Sequence, residues 1–200
     1  MPRAPATMGD VREDAEQFQP ETVEQWRGWL AEHHARGVGV WLVTWKTAAP
    51  GPTLGYEECV EQALCFGWVD STARRLDEQR RMLWFAPRKR GSGWARTNKA
   101  RVERLTTAGL MAPAGQAVVD AARADGSWTL LDDVENLVVP PDLAAALATA
   151  PPARANFDAF PRSVRRAILL WLVTAKRPVT RAGRIATTVE KAARGERAQG

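Results

Sequence analysis

The chain has 200 residues, 45% of them apolar, enough for one sizeable core or for one core with a helical extension. Its net charge of +5 suggests an anionic partner, because a basic surface attracts phosphates and carboxylates whatever their sequence, a reading that competes with a plain compositional bias toward arginine. Cys59 and Cys65 alone, with His33 and His34 adjacent, form neither a disulfide framework nor a metal-ligand pattern, so no metal and no cofactor is expected.

The N-terminal residues MPRAPATMGDVREDAEQFQ carry acids and no apolar signal core, and read as a disordered lead over 1–19. The longest apolar run, Ala167 to Val173, is far too short to span a bilayer. The expected location is the cytoplasm, with no membrane insertion.

Thr22 then caps a helix, with Gln25 placed as in a capping box, and Trp26, Trp29, Leu30 and His33 share one face. Gly37 and Gly39 stop it. VGVWLVTWK (Val38 to Lys46) is β-branched, aromatic and almost continuously apolar, which predicts a central, covered strand. After the Pro- and Gly-rich loop 47–55, Tyr56 to Phe66 reads as a helix with Tyr56, Cys59, Val60, Ala63 and Phe66 on its apolar stripe. Trp68 to Arg75 and Arg80 to Ala86, joined by LDEQ, read as a hairpin. Helical patterns follow over 94–108, 114–124, 141–149, 163–177 and 181–194, with a break forced by Pro178 and a stop at Gly195.

The predicted fold is therefore α+β: a small antiparallel sheet of about three strands packed with helices over 20–135, then an all-helical part over 141–196 docked on it. A soft boundary falls in the loop Leu130 to Pro140. The helix over 163–177, with Val164, Ile168, Trp171, Leu172 and Ala175 on one stripe, needs a surface to pack on.

The segment FAPRKRGSGWARTNKARVERL (Phe85 to Leu105) concentrates the basicity. Arg88, Lys89, Arg90, Arg96, Lys99, Arg101 and Arg104 face the single acid Glu103, so this one stretch outweighs the net charge of the whole chain. On a helical wheel started at Trp94, Asn98 and Arg101 fall inside the apolar arc, while Arg96, Lys99 and Glu103 fall on the far, solvated side. An inward polar group needs a partner or a ligand; Arg101 calls for a carboxylate or a bound anion, and Asp70, at the start of the hairpin in CFGWVD, is its best internal candidate. The RKRGSG loop just before the helix favours an anion through its free N–H groups, its glycines and Ser92, with Lys89 adding charge; it has neither the P-loop nor the dinucleotide-binding spacing.

ALCFGWVD (Ala63 to Asp70), FAPRKRGSGWARTNKARVERL with Gly109 to Met111 after it, AKRPVTRAGRI (Ala175 to Ile185) and WRGWLAEHHARGVGVWLVTWK (Trp26 to Lys46) resemble the YdeI/OmpD-associated family, also labelled bacteriocin-protection proteins, over about Trp26 to Gly195. The resemblance implies a role in bacteriocin protection or envelope stress and brings no defined reaction. Its motif positions here are His34, Lys46, Cys65, Trp68, Asp70, Arg88, Lys89, Ser92, Trp94, Asn98, Lys176 and Arg181. The family's Pro-Glu-Thr-Arg is replaced by Pro178, Val179, Thr180 and Arg181, which removes any role for that glutamate and leaves Thr180 as a helix cap.

Functional and structural readings compete at each residue. His34 sits at a helix C-terminus, where capping competes with catalysis. Cys65 lies off its helix stripe and could act as a nucleophile beside Lys89 or Arg101, against the commoner role of a packed cysteine. The tryptophans read mostly as core. The first functional reading is a small anionic or carboxylate ligand between the hairpin and the Trp94 helix, bound by Lys89, Ser92, Trp94, Asn98 and Arg101, with Asp70, Cys65 and His34 as the catalytic candidates. The second is a nucleic-acid or acidic-protein patch over Arg88, Arg90, Arg96, Lys99 and Arg104. A third is a stress adaptor with no pocket.

Overall fold

The structure, a computed structural model, describes residues 15–199. Contacts divide it into two compact units: residues up to Ser92 with Thr97–Asp125, and Gly93–Arg96 with Gly126 onward. The fold class is α+β, with one four-stranded sheet in the first unit. Most of the lead assigned to 1–19 lies outside the described residues.

The first unit opens with β1 (Gln17–Phe18) and α1 (Val23–His33). Thr22 accepts a hydrogen bond from the Gln25 amide at 3.3 Å, and the Gln25 side chain returns one from the Glu21 amide at 2.7 Å. Trp26, Trp29 and Leu30 are buried as the periodicity predicts, and Trp26 Nε1 donates to the Cys59 carbonyl at 3.0 Å. β2 (Val40–Trp45) is buried along almost its whole length, which accounts for its unbroken apolar run. α2 (Tyr56–Cys65) follows, then β3 (Trp68–Arg75) and β4 (Arg80–Pro87).

The sheet order is β1-β2-β4-β3, with β2, β4 and β3 antiparallel. The expected three strands are joined by a fourth: Gln17 and Phe18 pair in parallel with Trp41 and Leu42, so this part of the lead is ordered. A two-residue strand leaves no periodicity to read. At the hairpin tip Asp77 Oδ1 accepts from the Gln79 and Arg80 amides, and Lys46 Nζ donates to the Asp77 and Glu78 carbonyls at 3.0 and 2.8 Å. The β3–β4 register slips between Asp70 and Ala73, where a bulge re-aims the side chains of β3.

α3 (Arg96–Thr107) and α4 (Pro113–Ala124) come next in the chain. α3 starts two residues after Trp94, so Trp94 belongs to the preceding loop and not to the helical wheel. α4 lies close over the end of α2: a Cβ on Gly115 would stand 2.2 Å from the Cys65 carbonyl oxygen.

The second unit contains α5 (Asp132–Glu135), α6 (Pro141–Ala148), α7 (Pro151–Ala159), α8 (Arg162–Val173) and α9 (Pro178–Ala193). α5 lies inside the expected loop 130–140. α7 is an addition to the helices expected from the sequence; its Pro151 and Pro152 occupy the first helical turn, where a missing N–H costs nothing. Pro178 likewise starts α9, so Thr180 sits inside its first turn and is not its cap. Leu143, Leu147, Phe157, Ile168 and Leu172 form the buried centre of this unit.

Candidate functional site

The predicted site residues do not converge on one place. His34 ends α1: its amide donates to the Leu30 carbonyl at 2.8 Å, its Nδ1 is 3.0 Å from the Ala31 carbonyl, and its own carbonyl accepts from Trp68 Nε1 at 3.0 Å. These contacts are those of a cap. Cys65 is fully buried, contrary to its place off the helix stripe, because α4 covers the end of α2. Burial pushes the Cys65 thiol up despite the opposing pull of Arg27, and neither Lys89 nor Arg101 is among the groups that shift it. Cys59 is pushed up to about 12 by burial and by Glu58. Neither thiol is poised as a nucleophile.

In the RKRGSG loop the Ser92 amide donates to the Lys89 carbonyl at 3.2 Å, and the Ser92 hydroxyl donates to the same oxygen. The hydroxyl expected to hold an anion is thus spent on the loop itself, and Lys89 is exposed. Arg88 is largely buried, which pulls its guanidinium down to about 10. Trp94 is buried against Trp128 with ring centroids 5.0 Å apart and groups with the second unit, while Asn98 and Arg101 group with the first.

Asn98 and Arg101 do meet, with Arg101 Nη1 donating to Asn98 Oδ1 at 2.6 Å. The carboxylate that hydrogen-bonds Arg101 is Glu57 on α2, with Asp70 contributing only its nearby charge: Nε and Nη2 of Arg101 donate to Oε1 and Oε2 of Glu57 at 2.9 and 2.6 Å. Arg104 reaches Glu57 at 3.2 Å and Glu61 at 2.7 Å. Two acids four apart on α2 therefore face two arginines three apart on α3. That spacing was present in the sequence, but nothing in it linked the two helices. Asp70 instead accepts a hydrogen bond from the Tyr56 hydroxyl at 2.8 Å.

Two further arginines of the charge run, Arg90 and Arg96, also meet acids of the chain. Arg90 lies 3.6 Å from Asp125. Arg96 is exposed, as its place on the solvated side predicts, and still donates its backbone N–H to both Glu135 oxygens at 3.1 Å and its Nη2 to Asn136 at 2.7 Å. Carboxylates held this way lower the field available to a phosphate backbone.

A cleft of about 80 Å³ lies in the first unit beside the β3 bulge. Leu42, Leu54, Leu83 and the buried Cys59 form its bed; Thr44, Tyr56 and Arg81 supply its polar groups. Arg81 Nε makes a long 3.4 Å bond to Thr44 Oγ1, and among the described residues the guanidinium has no carboxylate partner. Tyr56 is 46% exposed, with its hydroxyl oriented by Asp70. An apolar bed with one uncommitted cation at the rim suits a small molecule with an apolar body and an anionic end. Sequence reasoning missed Arg81 and Thr44, which lie opposite one another on β4 and β2 and are brought together by strand register alone.

Among the described residues no group of His, Cys, Asp or Glu is arranged to hold a metal ion, and no helix is long and apolar enough to cross a membrane. No curated protein and no solved structure matches the chain. Residues 136–195 match the family described as Bacteriocin-protection, YdeI or OmpD-Associated, which supports the resemblance over this C-terminal part. The ALCFGWVD and FAPRKRGSGW motifs fall under a different family model, described as Domain of unknown function (DUF8412), which matches residues 18–118. With just over half of its length under that model, the chain belongs to the DUF8412 family and carries a YdeI/OmpD-associated segment behind it.

Proposed function

We propose that this YdeI/OmpD-associated protein works in the cytoplasm, in bacteriocin protection or envelope stress, by binding a short apolar acid in the cleft beside the β3 bulge. The observation that carries the reading is Arg81, a cation at the rim of an apolar cleft that meets no acid among the described residues. At roughly 10–15 Å³ per water-sized position, about 80 Å³ accepts on the order of six heavy atoms, so the body of the ligand is a short chain or a small ring with its carboxylate outside at Arg81. The expected binders Lys89, Ser92, Trp94, Asn98 and Arg101 are replaced in this role, because Ser92, Asn98 and Arg101 are committed to protein partners.

A thermal-shift series with butyrate, hexanoate, octanoate and benzoate tests the proposal. Hexanoate raises the melting temperature by a few degrees at saturation, and Arg81→Gln removes the rise. Equal shifts in wild type and Arg81→Gln, or none with any acid, would contradict it.

A further inference from the structure

We infer that the second unit holds a separate binding site for a free α-amino acid with an apolar side chain of about leucine size. This site does not depend on the cleft of the first unit.

A cavity of about 160 Å³ lies between α5, the start of α6 and the end of α8. Its bed is Val134, Val138, Leu169, Leu172 and Val173, and its two charged groups are Arg181 and Asp133. On the scale of roughly 10–15 Å³ per water-sized position, the space holds on the order of ten heavy atoms.

Arg181 is held rigidly. Nε and Nη2 donate to Oδ2 and Oδ1 of Asp142 at 2.6 and 2.9 Å, and Nη1 donates to the Leu172 carbonyl at 3.2 Å. Among the described residues this leaves one N–H on each terminal nitrogen of a cavity-lining guanidinium for an anionic group. Asp133 also lines the cavity, and its carboxylate has no cation partner among the described residues. The lining therefore offers donors for an anionic end, an acceptor for a cationic end and an apolar bed. A simple carboxylic acid would face Asp133 unpaired, and a simple amine would leave the spare Arg181 donors unmet. A zwitterion with an apolar side chain satisfies both.

The test is calorimetric titration of the full chain carrying Arg81→Gln, which takes the cation of the first cleft out of the experiment. L-leucine binds, while 4-methylpentanoate and isoamylamine, which lack the amine and the carboxylate respectively, each bind at least tenfold more weakly, the loss expected for one charged hydrogen-bonding group. Val138→Trp, at a side chain 48% exposed, fills the cavity mouth and abolishes leucine binding without touching the Arg181–Asp142 pair. Asp133→Asn weakens leucine and leaves 4-methylpentanoate unchanged or improved. No heat with L-leucine, an analogue that binds as tightly, or leucine binding that survives both Val138→Trp and Asp133→Asn would overturn the inference. Because Arg81 is absent throughout, none of these results reports on the first cleft.

Discussion

Arg101 and Glu57 meet as a parallel fork, with two N–H···O contacts of 2.9 and 2.6 Å joining α3 to α2. The hydrogen bonds from Arg101 hold the Glu57 carboxyl below its ordinary value of 4.5, with the charges of Arg101 and Arg104 acting in the same direction. A carboxyl whose folded value is depressed contributes stability that is full above the unfolded value and is lost as pH falls through the folded one. The first unit should therefore lose stability as pH drops below about 4.5, and Glu57→Gln should flatten that decline. At neutral pH a double-mutant cycle of Glu57→Gln with Arg101→Gln should give a coupling of about 1 kcal/mol by urea unfolding, limited by the exposure of Glu57. A coupling near zero would show that the fork is ornamental.

The two cysteines should be inert in the folded protein. Both are buried, with thiols raised by burial, Cys59 to about 12. A thiol-reactive chromophore at pH 8 should label neither Cys59 nor Cys65 until denaturant is added. Fast labelling of Cys65 in the native state would restore it as a candidate nucleophile.

Nucleic-acid affinity should be weak despite the basic stretch. Arg90, Arg96, Arg101 and Arg104 already face Asp125, Glu135, Glu57 and Glu61. Gel shifts with duplex DNA and with single-stranded RNA at about 150 mM salt should show no complex at micromolar protein. Tight binding that falls steeply with salt and is lost on replacing Lys99 and Arg104 by Ala would favour the patch reading.

Two glycines should respond in opposite directions to alanine. Gly115→Ala drives a Cβ to 2.2 Å from the Cys65 carbonyl oxygen, a backbone atom that cannot turn away, and should cost about 3 kcal/mol. Gly28→Ala, inside α1 with nothing within 4 Å, should stabilise by about 0.5–1 kcal/mol. Chemical denaturation of both variants checks the pair.

Local periodicity made α1, β2, α2, the hairpin, α4, α6, α8 and α9 legible, because each of these buries one face and the apolar spacing records which. α7, nine residues long and opening on two prolines, was not assigned, and β1 was hidden by its length. The site was less legible for a different reason. Arg101 plainly needed a carboxylate, but Asp70 and Glu57 are equally acidic on paper, and only the packing of α2 beside α3 selects Glu57. Cys65 looked peripheral on its own helix because the element that buries it, α4, lies about fifty residues later. Arg81 and Thr44 become neighbours only through the β2–β4 register.

The most direct test of the cleft is an amide NMR titration of the full chain with hexanoate. Shifts are expected at Leu42 to Thr44, Leu54 to Cys59, Ala73 and Arg81 to Leu83, and are absent in Arg81→Gln. Shifts grouped at Lys89 to Arg101 instead, or no shifts at millimolar hexanoate, would contradict binding in the cleft.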